Sequence, residues 1–295
     1  MINCFMDAEH NNQHSTTPGQ PDGKELLFGL TRSEYGHLPP RLEKLLADVA
    51  DLYAGRWPSH EACEVEYHDF VHALDVALAV ARIMAGWNRA NPDDRIGVEL
   101  YTWTVAAALF HDAGYIKDKG DRDGHGGKFT ITHVRRGMTM AEEYLRRSGW
   151  PERAALFVAT AIALTDYRQP PTMDLGRLNA QERIAARMLP TADLIGQFGD
   201  KHYAAKIDGL FAEFQEMYAH QQQDQRPTVN PVPMFRSAQE IRNTIDEFYN
   251  NFVSPRLAEF GHLERYLDVF YGQQANPYRT NITANLNKYR NSKGS

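Results

Sequence analysis

The sequence predicts an all-α protein, and three observations carry that prediction. From about residue 41 to 220, and again from 237 to 270, apolar residues recur at the three- and four-residue spacing of amphipathic helices. The alternation that marks strands is scarcely present. Turn residues such as Gly55, Gly114 and Pro151 punctuate the ends of the periodic runs.

Each element follows from that pattern. Residues 1–23, rich in Asn, Gln, His, Pro and Gly, are expected to form a disordered arm. A first helix fits 40–54 and is closed by Gly55. A second fits about 67–88, and a third about 97–111, ending at His111-Asp112 ahead of Gly114. The glycines and charges of 117–128 predict a loop, with its glycines free to make a lid, and a fourth helix fits 130–148. Pro151 with Glu152 reads as the start of a fifth helix, whose apolar run ends at Thr165-Asp166. Asn179 with Glu182 is a capping-box start for a sixth, which Pro190 is expected to kink or break. A further helix fits 201–220. Residues 221–236 are a polar, proline-rich connection, 237–270 return to helical spacing, and the Asn-rich tail after Gly272 has no clear period. The chain therefore divides into a core at 24–220 and a C-terminal helical extension at 237–295 that packs on it.

With 42% hydrophobic and 24% charged residues among 295, the chain has the profile of a soluble globular protein. A net charge of -6 argues against general nucleic-acid binding. Cys4 and Cys63 are too few and too far apart for a disulfide framework or a zinc–cysteine site, which fits a reducing compartment. The N-terminus lacks a secretory signal. The uncharged run 100–110 is about half the ~20 residues a membrane span needs. The expectation is a cytoplasmic protein with neither nucleic acid nor membrane as partner, a homodimer being left open.

The segment YHDFVHALDVALAV (67–80) raises the question of function. His68, His72 and Asp75 fall on one helical stripe, with Asp69 beside it, inside an apolar run. Burying such groups unpaired costs several kcal/mol, roughly 2–7 for a neutral polar group and more for a charge. Three other apolar runs also carry polar groups: His111-Asp112 in AAALFHDAG, His133 in ITHVRRGM and Asp193 in LPTADLIGQF. Imidazoles and carboxylates from separate helices are what a bundle uses to hold a divalent ion, and a metal would pair the buried stripe. Each piece has a plainer reading. His72 could be a hydrogen-bonded core histidine, and Asp193 could cap a helix restarted after Pro190.

The order His72, His111-Asp112, Asp193 resembles the HD superfamily of metal-dependent phosphohydrolases over about residues 60–210. The stretch Tyr67-His68-Asp69-Phe70-Val71-His72-Ala73-Leu74-Asp75-Val76 is similar to the cyclic-nucleotide phosphodiesterase signature Y-H-N-x-x-H-A-x-D-V, with Asp69 in place of its Asn. The resemblance implies an HD-domain helical bundle and a metal-dependent phosphoric ester hydrolase. His72, His111, Asp112 and Asp193 would be the metal ligands and His68 the proton donor, with Asp112 catalytic as an orienter of the attacking water. His133 matches the place of an extra ligand in two-metal members, so one or two ions are implied. The chain departs from the phosphodiesterase pattern after its HD pair, reading HDAGYIKD, and a further histidine of two-metal members is replaced by Leu164-Thr165-Asp166. Mixed imidazole and carboxylate ligands admit Zn, Mn, Fe, Ni or Mg.

Asp75, one turn beyond His72, is expected to accept an imidazole N–H, and Asp69 to support the same shell. Lys117, nearest the HD pair, and Gln197, one turn after Asp193, are the expected substrate contacts. Arg135-Arg136 and Arg146-Arg147 read as an exposed helix face. The expected substrate is a small phosphorylated, nucleotide-like molecule. Two other functions fit the same residues: a di-iron HD-fold oxygenase, and a non-catalytic signalling module.

Overall fold

Regular structure among the described residues is entirely helical, and an isolated backbone bridge, His60 with Asp118, is its nearest approach to a strand. The structure is a computed structural model that describes residues 22–168, 175–223 and 234–290. The expected disordered arm lies outside these residues except for Asp22 and Gly23, as does most of the 221–236 connection.

The chain opens with α1 (Gly23–Tyr35), for which the sequence had suggested no helix, and continues through α2 (Pro40–Tyr53). Then α3 (Phe70–Ala90) runs through the centre of the molecule, packed by α1, α4 (Val98–Phe110), α7 (Ala180–Phe198) and α11 (Tyr266–Tyr271). Helix α4 is apolar all round and buried, as such a helix must be. α5 (His133–Arg147) and α6 (Glu152–Ala163) pack on each other and flank α4. α8 (Tyr203–Gln223) follows. The C-terminal extension then supplies α9 (Ala238–Phe248), a π-helical turn (Tyr249–Val253), α10 (Ser254–Glu259), α11 and α12 (Pro277–Arg290). By length and composition α3 could cross a membrane, which the count of uncharged residues had missed, yet 78% of that window is buried inside the fold.

Local chemistry sets the helix ends. Asn179 and Glu182 form the expected capping box. Pro151 sits one position earlier than expected, as the N-cap of α6. Pro190 does not break α7, which runs through it: the Thr191 hydroxyl donates to Arg187 O at 2.8 Å and the helix is buried in the core on both sides of the ring. The 237–270 segment is not one helix but a broken series, turned at Gly261 and His262, the latter with φ 54°. The Asn-rich tail is helical because its asparagines face the end of α7. Asn281 Nδ2 donates to Gly199 O, and Asn285 Nδ2 donates to Phe198 O and Asp200 O, each near 2.9 Å. Those bonds satisfy carbonyls that a helix C-terminus leaves unpaired.

Candidate functional site

Helix α3 begins at Phe70, so Tyr67 and His68 precede it and the expected single stripe is broken. Asp69 is the N-cap: its Oδ1 accepts the backbone N–H of His72 at 2.9 Å. It therefore orients His72 through the backbone rather than through the imidazole. Asp75 is exposed and makes no hydrogen bond to His72. Its expected role as imidazole acceptor is not what the geometry holds.

Four groups converge behind that helix start. His72 Nε2 lies 3.4 Å from Asp112 Oδ2 and 3.4 Å from Asp193 Oδ1, and His111 Nε2 lies 3.0 Å and 3.7 Å from the same two oxygens. All four residues are buried. His111 Nδ1 donates to Ala108 O at 2.7 Å, which leaves Nε2 as the free nitrogen. His111 Nε2 and Asp112 Oδ2 are buried, and neither has a hydrogen-bond partner despite their closeness. They face a common point rather than each other. An orphaned imidazole nitrogen beside an orphaned carboxylate oxygen, with His72 in range, is a donor set that a divalent ion fits.

His133 stands on the other side of Asp112. Its Nδ1 donates to Thr130 O at 2.7 Å, and its Nε2 lies 3.6 Å from Asp112 Oδ1. The two oxygens of Asp112 thus face different imidazoles. Close backbone approach makes this possible. A Cβ at position 114 would come within 1.9 Å of His133 O, and one at 137 within 2.8 Å of Phe110 O, so only glycine lets α5 reach the end of α4. Arg136 is not part of an exposed face. Its guanidinium donates to Gly114 O and Ile116 O and lies over the Phe129 ring, tying down the turn after the HD pair.

Electrostatics follow the burial. Burial alone would lower His72, but Asp112 and Asp193 outweigh it and hold its pKa up to about 9. Burial would likewise raise Asp112, but the His111 and His68 cations hold it well below the usual carboxylate range. His133, dominated by burial, is pushed down.

His68 lies at the rim of the cluster. Its Nδ1 is 2.5 Å from Glu213 Oε2, while Glu213 Oε1 accepts the backbone N–H groups of Tyr67 and His68 at 2.8 and 3.2 Å. Burial opposes the imidazolium, but Glu213 and then Asp112 overcome it, and the His68 pKa is raised. The Tyr115 ring stacks with both histidines, 4.5 Å from His68 and 4.4 Å from His133. Asp193 also accepts the Tyr167 hydroxyl at 2.5 Å. Neither Glu213 nor Tyr167 was singled out in the sequence.

His68, Asp112, His133 and Asp193 open onto a cavity of about 380 Å³, with Gln197 in its wall. Lys117 is elsewhere: buried, it pairs with Glu64 at 2.6 Å and donates to Gly124 O at 2.5 Å. The loop around it is no free lid, since Glu216 accepts the backbone N–H groups of His125, Gly126 and Lys128.

One sequence family matches this geometry's second half. The Npun_R2479-like family aligns with residues 123–286, more than half of the chain. The chain belongs to the Npun_R2479-like family. The match takes in His133, Asp193, Glu213 and the helices around the cavity, while His72, His111 and Asp112 of this Npun_R2479-like chain precede it. No curated protein matches the sequence.

Proposed function

We propose that this protein is a metal-dependent phosphoric ester hydrolase, acting on a small phosphorylated molecule with one or two divalent ions. The observation that carries the reading is a histidine hydrogen-bonded to a buried glutamate, on the same cavity as a buried cluster of imidazoles and carboxylates with orphaned donor atoms. When bound by His72, His111, Asp112 and Asp193, with His133 as the further ligand for a second, the ion supplies Lewis-acid polarisation of the phosphoryl group and acidification of water.

The chain's own residues do the rest. Glu213 takes the Nδ1–H of His68, so that the imidazolium carries its transferable proton on Nε2, and Tyr115 stacks on the ring. As water adds to phosphorus and the P–O bond to the alcohol breaks, the His68 proton passes to the departing oxygen. General-acid help of this kind is typically worth ~10²–10⁴-fold. Asp112, facing imidazoles with both oxygens, is placed to orient the attacking water.

Purified protein carrying its metal should hydrolyse phosphate esters, and His68→Ala should keep the metal while losing ~10²–10⁴-fold in rate on alkyl esters. The loss should shrink on a nitrophenyl ester, whose leaving group departs as its anion. Equal losses on both, with metal retained, would end the proton-donor role. A coloured protein that consumes oxygen with substrate would favour the di-iron reading instead.

A further inference from the structure

Beyond the cluster, the cavity changes character. Its far wall comes from α8 and the C-terminal extension, where Phe214 and Phe235 stack at 5.9 Å and Phe248 and Phe252 at 5.0 Å, joined by Ile241 and Ile245. Polar groups there are few. Gln197 is engaged with Tyr203, and Thr244 donates its hydroxyl to Ile241 O. Among the described lining residues Arg168 is the one guanidinium or ammonium, and Asp166 already binds it at 2.8 Å. Among the described residues of that wall, none is free to neutralise a polyphosphate.

We infer that the substrate is a phosphate ester of an apolar aryl or alkyl alcohol, the hydrocarbon part lying against the aromatic wall and one phosphoryl group at the cluster. This rests on the hydrolase reading above and narrows it, away from the nucleotide that the sequence resemblance suggests. A cavity of about 380 Å³ is within the size range of small-molecule sites, so a phosphoryl group and a hydrocarbon chain or ring fit it together.

The test uses the full-length, metal-bearing protein and a series of n-alkyl phosphates from butyl to octyl, with phenyl phosphate, glycerol phosphate and AMP for comparison. Binding of the matching alkylphosphonates, which are not hydrolysed, is measured in parallel. Each added methylene should raise kcat/KM and phosphonate affinity about three- to fourfold until the wall is filled. Glycerol phosphate and AMP should fall well below octyl phosphate. Phe248→Gln, at a position 41% exposed and therefore tolerant of the change, should flatten the chain-length dependence. Ester hydrolysis with no chain-length dependence, or a preference for AMP, would overturn the inference and leave the hydrolase reading standing. No turnover of any ester, with phosphonate affinity still rising with chain length, would end the hydrolase reading and keep the apolar wall. Phosphonate affinity independent of chain length would overturn the inference whatever the turnover.

Discussion

Glu213 raises the His68 pKa, and a single substitution tests what that does for the proposed proton transfer. In Glu213→Gln the charge that raises the His68 pKa is gone, while one amide oxygen still accepts the Tyr67 and His68 N–H groups. A donor with a lower pKa loses its proton at lower pH, so the alkaline limb of the rate–pH profile should move toward acid. Rates on alkyl esters should fall on the order of 10²-fold, at the low end of general-acid contributions, with metal content unchanged. An unmoved limb would mean that another group donates. The neighbouring His72 gives a second expectation, in stability. Its pKa rises from about 6.5 to about 9 on folding without metal. A raised histidine stabilises the fold fully below pH 6.5, and that share is lost as pH climbs through 9. Metal-free protein should therefore lose Tm across that window. Metal must displace the same protons, so affinity should rise with pH and binding should release protons, measurable by calorimetry in buffers of different ionisation heat. Affinity that falls as pH rises from 6.5 to 9 would contradict this linkage.

At the scale of elements, two close approaches carry the site. Gly114→Ala drives a methyl into the His133 carbonyl. Such overpacking costs about 1–3 kcal/mol, and here it should also separate Asp112 from His133. Melting and metal affinity should both fall, and a variant as tight-binding as wild type would show that α5 can yield. Asn285→Ala should unpair the buried carbonyls of Phe198 and Asp200 and cost about 1–3 kcal/mol, read as a lower denaturation midpoint. These same elements show what was legible. His72, His111, Asp112 and Asp193 stood out because each interrupts an apolar helix, where a polar residue needs a partner. Glu213 did not, because among the polar residues of α8, with Asp208 and Glu216 near it, it reads as part of a solvated face. Its signal was spacing, for Leu210, Glu213 and Met217 share one buried face. Helix α12 was hidden because Asn285 bonds to backbone and its buried Leu286 and Tyr289 are too few to read as an apolar stripe. Lys117 was misread because its buried ion pair with Glu64 depends on a loop conformation that spacing does not reveal.

For the molecule as a whole, the N-terminal half brings His72, His111 and Asp112, and the second half, the part matched by the Npun_R2479-like family, brings Asp193, Glu213 and the apolar wall. Deletion of residues 1–21 should leave activity within about a factor of two, with α1 and its buried Leu27 and Phe28 retained. A cut that enters α1 should destabilise the fold. The proposed function depends on a metal at the buried cluster, so metal content is the deciding measurement. Elemental analysis of purified wild-type protein, reloaded with Mn, Zn, Fe, Ni or Mg where needed, should return one or two equivalents of a divalent ion. Asp112→Ala should return none, with its helical circular dichroism retained. A wild-type protein that takes up none of these ions, or an Asp112→Ala variant that binds them as tightly as wild type, would contradict the account.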